Sequence, residues 1–300
     1  METINDLDRR FNEYGAQFSI VAAFHLKELK QEIEDLNRRG KIDPEIHPDS
    51  IDNFNFRIPD NFKNPSSVIG IAVPQGISVV LFQLDHKKIK AVIPPTYMYR
   101  KVRARCIDIL SDTFGKSVKI SKAGLPLKLL AARSGLGEYG KNNLCYIEGM
   151  GSFARLEAFY IEHRFDRDDW QNIDLLRQCK ACDRCVNNCP TNCMEHGEFV
   201  IQAGRCITHH NEKRHAFPDF IDPRAHNSII GCIRCQTVCP VNHPYLKNKT
   251  TVGSFNREET DLILHGKPER SDDLAVKLRQ LDMDEYQDVL CRNLKALMQA

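Results

Sequence analysis

The sequence predicts an α/β domain with a mixed sheet over residues 1–170, a compact cysteine-organised domain over 171–247, and a short helical extension over 248–300. Three observations lead there. Apolar runs of strand length alternate with amphipathic helical stretches through the first half of the chain. Eight of the twelve cysteines form one ordered array between residues 179 and 240. Beyond Pro244 the chain is polar at first and then closes on apolar positions at helical spacing. At 300 residues it has room for two domains.

In order, residues 2–14 read as a short amphipathic helix, with Ile4, Leu7 and Phe11 on one face and Gly15 as its stop. Phe18 to Ala23 is a strand-length apolar run. His25 to Arg39 carries an inner stripe of Leu26, Leu29, Ile33 and Leu36 and ends at Gly40. Residues 41–65, rich in Pro, Asn and Asp, read as an irregular loop pinned by Phe54, Phe56 and Phe62. Val68–Val73 and Ile77–Leu84 are β-branched strands around the turn signal Pro74-Gln75-Gly76. A helix is expected from Pro94-Pro95-Thr96-Tyr97 to about Thr113, with Thr96 as N-cap. A further helix is expected over Leu125–Arg133, and strands over Leu144–Ile147 and Phe153–His163. Two short helices are expected in the tail, the last built on Val289, Leu290, Leu294 and Leu297.

The cysteine array carries the chemistry. Cys179-x-x-Cys182-x-x-Cys185-x-x-x-Cys189-Pro190 has the spacing of bacterial ferredoxins, in which three close thiolates grip one [4Fe-4S] cubane and the fourth reaches another. Two-residue gaps let a tight loop aim several sulfurs at neighbouring cluster corners. The following proline stops the segment folding back. The second run, Cys232-x-x-Cys235-x-x-x-Cys239-Pro240, starts one cysteine short, and Cys206 supplies the missing ligand. The economical assignment is crossed: Cys179, Cys182, Cys185 and Cys239 hold one cluster, and Cys189, Cys206, Cys232 and Cys235 the other. A ferredoxin-like domain with two [4Fe-4S] clusters is therefore expected. Zinc ribbons also use paired C-x-x-C, but zinc needs no third cysteine at this spacing and no second copy of it. A disulfide framework calls for a secretory leader.

Composition bounds the rest. Hydrophobic content of 42% and charged content of 27% are ordinary for a globular protein, and a net charge of +2 argues against a broad nucleic-acid-binding surface. No apolar run reaches about eighteen residues, so no membrane span is expected. The N-terminus alternates acid and base without an apolar core and does not read as a signal peptide. Free cysteines then point to the reducing cytoplasm.

Ser134 to Ser152 is the glycine-dense stretch of the first domain, with Lys141, Asn142 and Asn143 among its glycines. Such spacing lets backbone approach a ligand, or serves tight loops flanking a strand. It is no dinucleotide fingerprint, because no preceding strand and following helix frame it. Lys128, Arg133 and Lys141 flank these loops and suit an anionic group, or are simply solvated. Cys106 and Cys291 read as buried small hydrophobes, and Cys193 as an unliganded neighbour of the array. Six of the eleven histidines crowd between residues 196 and 243 without a metal-binding frame.

The segments Ser134-Gly135-Leu136-Gly137-x-x-Gly140-Lys141-Asn142, Gly151-Ser152-Phe153, Gly204-Arg205-Cys206-Ile207-Thr208 and Gly231-Cys232-x-x-Cys235-Gln236-x-x-Cys239-Pro240 resemble the epoxyqueuosine reductase family. Through it the chain is similar to the cobalamin-dependent reductive dehalogenases. The similarity spans roughly residues 65–245. It implies base-off cobalamin as a cofactor beside the two clusters, with the corrin lined by Gly135, Leu136, Gly137, Gly140, Lys141, Asn142, Gly151, Ser152 and Phe153. It also implies an electron donor such as ferredoxin or flavodoxin. Lys128 and Tyr139, flanking these loops, are the candidates for catalytic groups.

The chain departs from the family at two places. A gap-free alignment puts Ser121, between Lys119 and Lys122, where the family carries an acidic proton donor. The stretch after residue 247 is also too short for the helical-repeat domain with which longer members hold tRNA. Both departures point away from tRNA, toward a paralogue acting on a small molecule or a corrinoid protein. A ferredoxin-type carrier that reduces a corrinoid partner, and true epoxyqueuosine reduction, are the two alternatives.

Overall fold

The structure is a computed structural model and describes residues 2–44, 46, 51–62, 66–195 and 200–300. In chain order its helices and strands are α1 (Glu2–Glu13), β1 (Gln17–Ala22), α2 (Leu26–Arg38), β2 (Ser67–Pro74), β3 (Ile77–Gln83), β4 (Lys88–Ile93), α3 (Arg100–Phe114), β5 (Ile120–Lys122), α4 (Leu127–Arg133) and β6 (Glu138–Tyr139). There follow β7 (Cys145–Tyr146), β8 (Ala154–Ile161), α5 (Arg184–Asn187), α6 (Ile207–Glu212), α7 (Arg234–Thr237), β9 (Lys249–Phe255), α8 (Arg257–Leu264), α9 (Asp272–Gln280) and α10 (Gln287–Gln299). These elements form two compact units: Met1–Pro74 with Tyr99–Cys182, and Gln75–Met98 with Asp183–Ala300.

The first unit is built on a four-stranded sheet of order β1-β2-β8-β5, antiparallel at every pairing. The period of two along β2 explains both of its faces. Ile69, Ile71 and Val73 pack into a core with Leu7 and Phe11 of α1 and Val102, Cys106, Ile109 and Leu110 of α3. On the opposite face Ala72 joins Ala131 of α4 with Leu136, Cys145 and Ile147. Gly70 lies on that face too, and a Cβ there would come 3.1 Å from Ser19 Oγ and 3.7 Å from Leu136. Small residues on this side let α4 and the glycine-rich segment settle close on the sheet.

The second unit has a three-stranded sheet of order β4-β3-β9, with β3–β4 antiparallel and β3–β9 parallel. Phe82 and Phe255 stack across the parallel pair at 4.8 Å. Around them Ile229, Ile230, Ile263, Leu274, Leu278, Met283, Leu290 and Leu294 complete the core. Asn256 and Glu259 cap α8 reciprocally, each side chain accepting from the other's backbone N–H, and Ser271 caps α9.

The α/β class therefore holds, with mixed pairing in the second unit's sheet and a helical C-terminus. Two expectations are corrected. The helix expected from Pro94 begins only at Arg100, and Thr96 is not its cap. Thr96 sits at φ 91° and its N–H donates to Gln75 Oε1 at 2.7 Å, so it shapes a turn. The tail holds three helices, α8 to α10, and the strand β9, whose half-exposed polar side reads as loop in sequence. The expected loop over 41–65 falls partly outside the described residues, as does His196. Among the described residues no helix is long and apolar enough to cross a membrane.

Candidate functional site

The four cysteines assigned to the second cluster, Cys189, Cys206, Cys232 and Cys235, all belong to the second unit. Cys189 and Cys235 sit at or just beyond the short helical turns α5 and α7, and Cys206 immediately precedes α6. Cys185, Cys189, Cys206 and Cys235 pack around a small buried core of Val186, Cys193 and Met194. None of the twelve cysteines is in a disulfide. Among the described residues no three His, Cys, Asp or Glu side chains are grouped closely enough to hold one metal ion.

Cys193 is the first feature that spacing alone left unexplained. Its Sγ lies 3.5 Å from Cys189 Sγ, and it also hydrogen-bonds Cys206. Hydrogen bonding with Cys193 lowers the Cys189 and Cys206 thiols, while the same contacts and burial push Cys193 far up. Its single S–H reaches one sulfur at a time, so Cys193 favours the thiolate form of one neighbour or the other. Burial moves Cys232 the opposite way. Asn227 reaches this cysteine, its Nδ2 donating to Cys232 Sγ at 3.2 Å.

Buried asparagines fasten the loop before Cys232. Asn211 Nδ2 donates to the Gly231 carbonyl at 2.7 Å, and Asn293 of α10 donates to the carbonyls of Asn211 and Ile229, both at 2.8 Å. None of these was singled out from sequence. A signal existed for Asn293, a polar residue within the apolar stripe of Val289, Leu290 and Leu294. Tyr97 donates to the Glu212 carboxylate, and Gly231, at φ 63°, faces the Tyr97 hydroxyl so closely that no Cβ fits.

In the first unit the glycine-dense segment folds as the β6–β7 hairpin. A Cβ on Gly137 would lie 2.6 Å from Cys145 Sγ, and one on Gly140 would lie 2.5 Å from the Tyr146 ring. Hairpin packing alone therefore demands these two glycines. Asn142 Nδ2 donates to the Tyr146 hydroxyl at 3.0 Å, and Lys141, Asn142, Ser152 and Phe153 are buried. The hairpin also meets the start of the cysteine array. Leu176 N–H donates to the Tyr139 carbonyl at 2.8 Å, and Lys141 Nζ to the Cys182 carbonyl at 3.3 Å. Cys179 and Cys182 are joined by a backbone hydrogen bond of 3.2 Å.

Lys128 donates to the Asn143 carbonyl at 2.8 Å and also to its side-chain oxygen, so its ammonium fastens the hairpin turn. Tyr139 is buried, which raises its phenol and makes it a reluctant acid at neutral pH. Ser121 lies in β5 opposite Tyr160, beside a cavity of about 260 Å³ that it lines with Ile107, Lys122 and Phe159. A second, open cavity of about 570 Å³ is lined by Ser134, Gly135 and Leu136 together with Ser19, Trp170 and Gln171. Near it His25 bridges Glu28 at 2.5 Å and Asp168 at 3.1 Å and stacks on Trp170, a cluster that sequence periodicity did not reveal.

Residues 178–242 match the 4Fe-4S double cluster binding domain family. An epoxyqueuosine reductase of Lactococcus garvieae is 31% identical over 142 residues, which covers 47% of this chain and 39% of that protein. An epoxyqueuosine reductase of Staphylococcus aureus is 28% identical over 159 residues, covering 53% of this chain and 37% of its own length. The matched stretch is thus well under half of either relative. Among solved structures, epoxyqueuosine reductase from Streptococcus thermophilus superimposes with a TM-score of 0.68 at 17% identity, over 99% of this chain and 81% of that one. An epoxyqueuosine reductase crystallised with an epoxyqueuosine-modified tRNA-Tyr stem loop gives 0.69 at 18% identity, with coverage of 99% and 81%. At these identities the agreement concerns the fold.

Proposed function

We propose that this chain, similar in sequence to the epoxyqueuosine reductases over about half its length and sharing their fold, is an iron–sulfur oxidoreductase working on the reductase plan. Its two [4Fe-4S] clusters are held by Cys179, Cys182, Cys185 and Cys239, and by Cys189, Cys206, Cys232 and Cys235. When bound, the clusters would relay electrons one at a time from a ferredoxin or flavodoxin in the cytoplasm to cobalamin, whose low-valent cobalt would supply the reducing power.

The observation that carries this reading is the junction inside the first unit. The Gly140-Lys141-Asn142 turn is hydrogen-bonded through Lys141 to the backbone of Cys182, within the match to the double-cluster family. The segment that resembles a corrin-binding loop is therefore fastened to the segment that carries cluster ligands. The donor chemistry suits the clusters, since four cysteines outside any disulfide lie in a single unit for one of them, three of these packed around one core. Of the residues expected at cobalamin, Gly135 and Leu136 line the open 570 Å³ cavity. Lys141, Asn142 and Lys128 position the loop, because their polar atoms are spent within the protein. The substrate is a small molecule or a corrinoid protein, as Ser121 offers no carboxylic acid where the family has one.

The test is EPR of anaerobically reconstituted protein mixed with cob(II)alamin. Two interacting reduced cubanes and a base-off Co(II) signal are expected. Cluster signals with unchanged solution cobalamin would overturn the reductase reading in favour of an electron carrier for a partner. Turnover of epoxyqueuosine-modified tRNA would instead assign this chain the reaction for which its relatives are named.

A further inference from the structure

We propose that the Asn227 side-chain amide raises the reduction potential of the second cluster through an N–H···S bond to its ligand Cys232. This rests on the reading that Cys189, Cys206, Cys232 and Cys235 hold a cubane. Asn227 is bound at both ends of its amide. Its Oδ1 accepts from the Ile233 backbone N–H at 2.9 Å and from Ser228 Oγ at 3.0 Å. Its Nδ2 donates to the Ala225 carbonyl at 3.0 Å and to Cys232 Sγ at 3.2 Å. A backbone N–H can only donate and a carbonyl can only accept, so the partners fix which end is oxygen and which nitrogen. The nitrogen must face the sulfur.

The sulfur is held to meet it. Asn211 grips the Gly231 carbonyl, and the Tyr97 hydroxyl closes the space beside Gly231. The turn from Asn227 to Cys232 is fixed on both sides, and its amide is held in one orientation. Reduction takes the cubane from [4Fe-4S]2+ to [4Fe-4S]1+ with one electron from the donor and puts more negative charge on the ligand sulfurs. A fixed N–H donor stabilises the reduced state more than the oxidised one, and hydrogen bonds to the sulfurs are an established lever on such potentials. Asn227 is thus a positioning and tuning residue for electron transfer.

The test is an EPR-monitored redox titration of the reconstituted full chain and of Asn227→Leu, which keeps the volume and removes the donor. The midpoint of one cluster is expected to fall by up to about tenfold in equilibrium constant, 59 mV for one electron. The other midpoint and the iron content should not change. Unshifted midpoints at full iron content would overturn the proposal. If Asn227→Leu loses the cluster, the unsubstituted protein is labelled with heavy nitrogen in its asparagine side chains. Electron–nuclear coupling of one such nitrogen to the reduced cluster supports the N–H···S bond, and its absence overturns it. Failure of the unsubstituted chain to take up two cubanes would overturn the cluster reading itself, and this proposal with it.

Discussion

Among the described residues of the first unit Glu157 is the most deeply placed acid, at 2% exposure. Its carboxylate accepts from Arg103 of α3 at 3.0 and 3.3 Å and from Arg155, its neighbour on β8, at 2.9 Å. Removing one partner of a buried ion pair leaves the other charges without compensation. Glu157→Ala should cost about 3 kcal/mol, read as a lower urea midpoint at unchanged slope. Replacing Arg103, Arg155 and Glu157 together with apolar residues should cost less than that single change, because no orphan charge remains. In the second unit, half-buried Glu212 is raised from its ordinary 4.5 to about 7, chiefly by burial and against the Tyr97 hydrogen bond, which lowers it. The folded chain therefore binds more protons than the unfolded chain between about pH 4.5 and 7, so stability falls as pH rises through that window. Solvent screening of the partly exposed carboxylate limits the change to about 2 kcal/mol. Glu212→Gln should flatten that part of the stability–pH curve, and an unchanged slope would show that Glu212 does not cause it.

At the scale of elements, the second unit depends on its last strand and helices. β9 supplies Phe255 to the stack with Phe82, and α8 to α10 bury Ile229 and Ile230, two residues before Cys232. A chain ending at residue 247 would bare that apolar face and free the Asn211–Gly231 grip from its Asn293 support. It is expected to lose the second unit's cooperative melting transition and to release iron well before the full chain does, both visible in one thermal ramp. The sequence was legible where periodicity was strong. α1, α2, β2, β3 and β8 stand within a few residues of where their apolar stripes put them. It was opaque where a pairing partner is distant. β9 reads as polar because Lys249, Thr250 and Thr251 are exposed, and nothing local announces its parallel register on β3. The cysteine array was legible because covalent reach dictates spacing, whereas Asn227, Asn211 and Asn293 act through tertiary contacts that leave no local pattern.

At the scale of the whole chain, the path enters the second unit at Gln75, returns to the first at Tyr99, and crosses again after Cys182. Fold class and cluster chemistry could be read along the sequence, but this double passage could not, because it is a property of which strands pair. β3 and β4 are made early, yet β3 finds its second neighbour only at Lys249–Phe255. During synthesis at about 5–20 residues per second, that hairpin waits roughly ten to thirty seconds with an apolar edge unpaired. Cys232 likewise emerges before Asn293 has been made. The ribosome therefore delivers Cys189, Cys206, Cys232 and Cys235 ahead of the α10 contacts that brace the loop before Cys232. The bracing of the Gly231 loop is thus complete only once α10 has been made, and a chain stalled before residue 249 is expected to lack it.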